Sequence, residues 1–250
     1  MKNENIFIFD VDGTLTPSRQ EMTKEFKEFF EQWVLKNTFY LVTGSDLPKL
    51  QEQMNGMEIH SSGIFTCCGN QFWQSDSAVH PKHCDLIYEN TFKPPENLLT
   101  YLGEKIRFSN YFARCGNHIE NRGSMLNFSI VGRNCSLEER KTYFEYDSTF
   151  KEREQIAKYI TEQWKDIDAV IGGQISIDIY PKGKDKSQII EHIEDIEERF
   201  CPKKYIFIGD RTEKGGNDYP LAKLMSNKSF RKFYQTIDWK ETMNILKSYE

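Results

Sequence analysis

An apolar run, Ile6-Phe7-Ile8-Phe9, that stops at Asp10-Val11-Asp12-Gly13-Thr14 constrains this chain more than any other stretch. A short run without polar alternation reads as a strand buried on both faces, as in parallel sheets. Such sheets present their chemistry at the carboxyl ends of the strands. Two aspartates one residue apart project to the same side if the extended geometry persists. Like charges that close push one pKa up, and a divalent cation or a shared proton relieves the conflict. Gly13 lets the backbone turn sharply and expose amides to an anion. A carboxylate at a strand end can act as a nucleophile that forms an aspartyl-phosphate. The second can then serve as general acid and base. The competing readings are a polar strand-to-turn junction and a calcium loop. The latter needs further oxygen ligands at fixed spacing, which Leu15-Thr16-Pro17 does not supply.

The chain has 250 residues, enough for one large or two small domains. Its net charge of −5 argues against a general affinity for nucleic acid, but not against a local basic pocket for a phosphorylated small molecule. No apolar run approaches membrane-span length, so no membrane is expected. Met1 to Asn5 carries no signal-peptide core, and a cytoplasmic protein is expected. The cysteines at 67, 68, 84, 115, 135 and 201 form no C-x-x-C pair, which argues for reduced thiols and against zinc.

Downstream, Thr23 is placed to cap a helix whose core face is Phe26, Phe29, Phe30, Trp33 and Val34. Thr38 to Val42 reads as a second buried strand. It ends at Thr43-Gly44-Ser45-Asp46, where a hydroxyl beside a helix start can bond a phosphoryl oxygen. Ser45 or Asp46 acting as a plain N-cap would look the same. A short helix over Leu47 to Met54, a strand over Gly63 to Cys67 and a turn at Cys68-Gly69-Asn70 complete a βαβ pattern. The pattern breaks at Pro81, Pro94 and Pro95. The middle of the chain reads as an α+β insert. It holds a helix around Leu98 and Leu102, then antiparallel strands 118–122 and 125–131 joined at Gly123-Ser124. A capping box at Ser136 and Glu139 comes next, then a helix through Ile156, Ile160 and Trp164. The strand from Gln174 to Tyr180 is expected to have one buried and one polar face. Asp185-Lys186 then opens a helix with Ile189, Ile190 and Ile193 on one side. Lys204 to Ile208 is another buried strand, ending at Gly209-Asp210 before Gly215-Gly216-Asn217-Asp218. A strand near Phe233 and a helix carrying Trp239, Met243 and Leu246 close the pattern.

Polar groups thus stand at four strand or helix ends: Asp10 with Asp12, Ser45, Lys186 and Asp210. Their order and spacing resemble the four motifs of the haloacid-dehalogenase superfamily of phosphotransferases. The resemblance implies a Rossmann-like α/β core, a parallel sheet with flanking helices, carrying an inserted α+β cap. Residues 1–81 and 184–250 are the expected core and 82–183 the cap. It implies that Asp10 attacks phosphorus, Asp12 moves the proton, and Lys186 neutralises the nucleophile and the phosphoryl group. Mg2+ would be held by the Asp10 carboxylate, the Asp12 carbonyl and Asp210, with Asp218 in an outer role. Lys186 as a mere surface lysine would sit in a first helical turn, where the dipole disfavours a cation.

In the insert, Arg122, Arg133 and Arg140 occur within one short stretch. Guanidinium forks suit phosphate, so a second phosphate site is one reading. Solvated surface arginines paired with Glu138 or Glu139 are the other. Longer stretches narrow the resemblance to the eukaryotic-type phosphomannomutases: 9–20, 44–53, 125–140, 172–178 and 209–218. That resemblance assigns Arg122, Arg133, Arg140 and Ser176 to a distal phosphate, Asp178 to a sugar hydroxyl, and Arg19 to a substrate contact near the loop. It implies interconversion of mannose 6-phosphate and mannose 1-phosphate, hexose 1,6-bisphosphate as activator, a phosphorylated hexose as substrate and a homodimer through the cap. The chain departs from the family's pattern at Cys68-Gly69-Asn70, Cys115 and His118. A sugar-phosphate phosphatase with the same residues is the alternative, and a non-catalytic sugar-phosphate binder a third reading.

Overall fold

In the computed structural model, residues 4–75, 84–197 and 203–249 are described. In chain order the elements are β1 (Asn5–Phe9), α1 (Lys24–Trp33), β2 (Thr38–Val42), α2 (Leu47–Met54), β3 (Gly63–Thr66), β4 (Gln71–Ser75), β5 (Cys84–Glu89), α3 (Glu96–Phe108), β6 (Ile119–Asn121) and β7 (Leu126–Phe128). They continue with α4 (Leu137–Phe150), α5 (Glu152–Gln163), β8 (Ile167–Gly172), β9 (Ser176–Pro181), α6 (Ile189–Glu197), β10 (Lys204–Gly209), α7 (Tyr219–Met225), β11 (Arg231–Gln235) and α8 (Trp239–Lys247). They divide into two units, one of Met1–Glu89, Asp185–Lys214 and Asp218–Glu250, the other of Asn90–Lys184 with Gly215–Asn217.

The first unit is built on a seven-stranded sheet in the order β11-β10-β1-β2-β3-β4-β5. The first five of these pair in parallel, and the last two close the edge antiparallel. β1 is apolar throughout because it is covered on both faces. Phe7 and Phe9 enter one cluster with Phe26, Phe30 and Trp33 of α1, while Ile6 and Ile8 enter another with Ile189, Ile190 and Ile193 of α6. The helical stripe of α1 packs as its spacing predicts, Phe30 and Trp33 stacking with centroids 5.4 Å apart. Thr23 caps the helix, its hydroxyl accepting from the Phe26 amide at 3.3 Å. Parallel register then brings the ends of β1, β2 and β10 to one edge. Phe9 lies opposite both Leu41 and Ile208, and the Asp10 amide donates to the Ile208 carbonyl at 3.0 Å.

The second unit carries a four-stranded antiparallel sheet in the order β6-β7-β9-β8, with α3, α4 and α5. Its apolar cluster draws Leu126 and Phe128 of β7, Ile177 and Ile179 of β9, and Tyr143, Ile156 and Ile160 of the helices. The β6–β7 hairpin and the capping box at Ser136 form as expected. Both halves of the box are present, and the Glu139 carboxylate accepts from the Ser136 amide at 2.7 Å.

Three sequence expectations change. β5, read as part of the insert, pairs antiparallel with β4 and belongs to the first unit's sheet. Its exposed Leu86 and Ile87 hide the alternation that marks a half-buried strand. The strand at 167–172 has no counterpart in the sequence reading. The polar side of β9 is not solvated, since Ser176, Asp178 and Tyr180 are buried along with the isoleucines between them. Pro81, Cys201 and the expected boundary at 81/82 lie outside the described residues.

His192 on α6 is enclosed by the rings of Phe65, Phe72 and Tyr88. Its Nε2 meets no hydrogen-bond partner among the described residues. Burial lowers its pKa below the ordinary 6.5, and Asp195 only partly opposes this. The folded chain therefore binds fewer protons than the unfolded one below that value, and stability falls as pH drops through it. His192→Phe should flatten the fall in Tm between about pH 7 and about pH 5.5, read by thermal melts in matched buffers. A slope equal to that of the parent would remove His192 from the acid response.

Candidate active site

The carboxyl ends of β1 and β10 place Asp10 and Asp210 at the same sheet edge, and the turn after β10 brings Asp218 beside them. Lys186 arrives from the 3-10 turn Lys186–Gln188, whose cap is Asp185. Its ammonium is fully buried and donates to Asp10 Oδ1 at 2.6 Å and to Asp218 Oδ1 at 2.7 Å. A lone ammonium at such a depth would lose its proton. Burial does pull in that direction here, but Asp10 and Asp218 overcome it and hold Lys186 well above the ordinary lysine value. Burial also pushes the Asp10 carboxyl up to about 7; Lys186 opposes this, while Asp218 and Asp12 add to it. Asp210 is raised well above the ordinary carboxylate range, by burial first and then by Asp10 and Asp218.

Two glycines make the crowding sterically allowed. Gly13 has φ +90°, and a Cβ there would lie 2.7 Å from Asp210 Oδ2. A Cβ on Gly209 would lie 2.6 Å from Asp218 Oδ2, the oxygen that accepts from the Arg211 amide at 3.0 Å. Asp10 Oδ2 receives the Thr14 hydroxyl at 3.3 Å.

Asp12 is held differently. Its Oδ1 accepts from the Arg19 amide and from Gln53 Nε2 at 2.8 Å, and its Oδ2 faces the Ser18 hydroxyl at 3.4 Å. Arg19 itself sits in the left-handed region, φ 57°, which turns its amide back onto that carboxylate. Asp46, not Ser45, caps α2, accepting from the Lys49 amide at 3.2 Å. That leaves the Ser45 hydroxyl out of the cap. Ser45 is anchored through its backbone, its amide to Thr43 Oγ1 at 3.0 Å and its carbonyl to the Cys67 amide at 3.0 Å.

In the second unit the structure brings Arg122 and Arg133 together on one carboxylate. Both guanidinium groups approach Glu120 Oε2, Arg122 through a direct hydrogen bond and Arg133 with Nε at 3.4 Å. Arg140 is buried in the opening turns of α4, and Glu139, one of its expected partners, closes the capping box instead. Ser176 and Asp178 share a face of β9, two residues apart. The Ser176 hydroxyl donates to the Gly172 carbonyl at 2.8 Å, and Asp178 Oδ1 accepts from Asn127 Nδ2 at 2.6 Å. Register aligns Glu120, Asn127 and Asp178 in one cross-strand row.

The model of the eukaryotic phosphomannomutase family matches residues 26–243. A "Phosphomannomutase" of Drosophila melanogaster is 37% identical over 235 residues, covering 88% of this chain and 87% of its own. One of Encephalitozoon cuniculi is 38% identical over 235 residues, covering 87% and 84%. The chain belongs to the eukaryotic phosphomannomutase family. Among solved structures, a haloacid dehalogenase-like hydrolase from Bacteroides thetaiotaomicron superposes with a TM-score of 0.58 at 14% identity, covering 98% of this chain and 99% of its own. At that identity the likeness is one of fold, and it bears out the expected α/β core, a parallel sheet with flanking helices.

A family member of this kind acts on a sugar phosphate and draws on a divalent metal, and the acidic cluster suits one. Asp10, Asp210 and Asp218 can each bring one oxygen within 4.8 Å of the others. An all-oxygen set of carboxylates fits a hard cation. Asp12 stands outside that cluster through its carboxylate, which the Arg19, Gln53 and Ser18 donors occupy. Sequence reasoning missed Gln53, Glu120 and Asn127. Gln53 closes the stretch 44–53, and Glu120 lies two residues before Arg122, but only the fold shows what each reaches. No helix among the described residues is long and apolar enough to cross a membrane.

Lys186→Met should destabilise the fold by about 3 kcal/mol, because Asp10 and Asp218 then stay buried without their cation. Urea unfolding measures this. Millimolar Mg2+ should restore more stability to the variant than it adds to the parent. A variant as stable as the parent without metal would show that the ion triad is not a stabilising contact.

Proposed function

We propose that this protein is a Mg2+-dependent phosphomannomutase that interconverts mannose 6-phosphate and mannose 1-phosphate, with hexose 1,6-bisphosphate as activator and intermediate. The carrying observation, in a chain of this family, is the buried Asp10 carboxylate fixed by Lys186 at 2.6 Å at the end of β1. Asp10 Oδ2, facing Thr14, is the oxygen aimed to attack phosphorus. The bond to phosphorus forms there as the bond from phosphorus to the sugar oxygen breaks. Asp12, held by the Arg19 amide and Gln53, gives its proton to the departing sugar oxygen. It takes a proton back when the hydroxyl of the other orientation attacks the phospho-aspartate. Lys186 offsets the charge that gathers on Asp10 and on the phosphoryl group. The Ser45 hydroxyl bonds a phosphoryl oxygen. Mg2+ would be held by the Asp10 carboxylate, the Asp12 carbonyl and Asp210, with Asp218 in an outer role, and would supply further charge neutralisation. Arg122, Arg133, Arg140 and Ser176 hold the phosphate that is not reacting, Asp178 takes a sugar hydroxyl, and Arg19 contacts the substrate. The setting we infer is cytoplasmic, with a homodimer formed through the second unit.

A mass balance tests this reading. With Mg2+, mannose 1-phosphate and a trace of hexose 1,6-bisphosphate, mannose 6-phosphate should accumulate without inorganic phosphate. Free phosphate with little isomer would replace the mutase by a hydrolase. Asp10→Asn should lower turnover by about 1,000-fold or more. Arg133→Ala should lower kcat/KM for mannose 1-phosphate about 10- to 100-fold while sparing hydrolysis of 4-nitrophenyl phosphate, which has no second phosphate to hold. Equal loss on both substrates would take Arg133 out of the distal-phosphate role.

A further inference from the structure

Glu120 is the acidic group that the structure sets on the paired arginines, and no step of the proposed phosphoryl transfer uses it. Its Oε2 receives the Arg122 guanidinium and lies 3.4 Å from Arg133 Nε. The side chains of Arg122 and Arg133 are only 6% and 12% exposed, while that of Glu120 is 34% exposed. Two guanidinium groups at that depth repel each other, and a carboxylate between them fixes their forks in the absence of ligand. The carboxylate therefore occupies an Arg122 donor that an incoming phosphate would use and sets its charge beside Arg133. An arriving dianion meets arginines already ordered, but it also meets a negative charge at contact distance.

We propose that Glu120 is a positioning residue of the distal phosphate site, a resident anion that orders Arg122 and Arg133 and weakens their hold on phosphate so that a hexose bisphosphate can leave and re-enter turned around. This role rests on the arginine cluster being the distal phosphate site of the proposed mutase. The chemistry favours such a device. A mutase must release its bisphosphate from one orientation and take it in the other. A site that binds too tightly lowers KM and slows turnover together. Removing the charge while keeping an acceptor for the guanidinium groups should convert a fast-exchanging site into a retentive one.

The test is calorimetric titration of mannose 1,6-bisphosphate into the full chain in EDTA, paired with steady-state turnover of mannose 1-phosphate in Mg2+. Glu120→Gln should tighten bisphosphate binding about tenfold, the scale of deleting one like charge beside a partly shielded anion. It should lower KM and kcat together and leave 4-nitrophenyl phosphate hydrolysis unchanged. Glu120→Asp, which keeps the charge, should stay near the parent affinity. Unchanged or weaker binding in Glu120→Gln, or equal tightening in Glu120→Asp, overturns the proposal. Should Glu120→Gln not fold, the same titration of the parent against Glu120→Asp and Arg122→Lys is used: affinity unchanged in Glu120→Asp and lowered in Arg122→Lys is required, and any tightening in Glu120→Asp overturns the proposal. Parent affinity that does not depend on Arg133 would instead overturn the distal-phosphate reading, so the two failures are separable.

Discussion

A buried ammonium between two buried carboxylates is the interaction on which the arrangement of the first unit's acidic edge depends. Lys186 lies 176 residues from Asp10 and 32 from Asp218 along the chain, yet meets them at 2.6 and 2.7 Å. Taking such charges out of water costs several kcal/mol per ion, recovered only when the geometry is close to ideal. The parallel sheet supplies that geometry, since the register of β1 against β10 fixes Asp10 relative to the turn that carries Asp218. Any slip by one residue would turn Asp10 to the opposite face. Gly13 and Gly209 complete the requirement by leaving space where any side chain would press on a carboxylate. Burial first, and then the repulsion among Asp10, Asp210 and Asp218 that Lys186 only partly offsets, raises the proton affinities of Asp10 and Asp210. A cluster of this kind suits a hard cation or a shared proton.

Legibility in the sequence tracks how local each signal is. The strand of β1, the Thr23 cap and the box at Ser136 and Glu139 depend on residues a few positions apart, and all appear as read. Asp10, Lys186 and Asp210 were legible because each stands beside a strongly apolar element that a parallel sheet must align. β5 was missed because a hairpin edge strand with exposed Leu86 and Ile87 carries no clean alternation. The polar face of β9 misled for a different reason. Alternation predicts one buried and one polar side, but Asp178 on the polar side is buried as well and accepts from Asn127, 51 residues earlier in the chain. A side-chain pairing across strands leaves no mark on either strand alone.

The arginines show the same limit at closer range. Glu138 and Glu139 are nearer in sequence to Arg140 and Arg133 than Glu120 is, and they looked like the partners. Helix formation commits Glu139 elsewhere, since it reaches back to the Ser136 amide to close the capping box. Glu120 meets Arg133 because the β6–β7 hairpin folds residues 120 and 122 toward the segment that carries Arg133, whose amide donates to the Asn117 carbonyl at 2.7 Å. Competition between a local cap and a tertiary ion pair was resolved in favour of the cap, where the acceptor costs no loop entropy.

The two units thus hold complementary imbalances. The first gathers three carboxylates around one lysine, and the second gathers arginines around one glutamate. In the proposed reaction a phosphoryl group suits the first only with added positive charge, whereas a phosphate at the second must displace or share the arginines with Glu120. If the proposed exchange of the two phosphates of one sugar is what these groups serve, neither hold can dominate. A site that kept its phosphate would strand the intermediate, and one that never ordered it would lose it to solvent. In the proposed reaction Lys186 lets the carboxylate cluster accept a phosphoryl group, and Glu120 keeps the arginines from holding a phosphate too tightly. The sign of each internal ion is opposite because the charge each must temper is opposite.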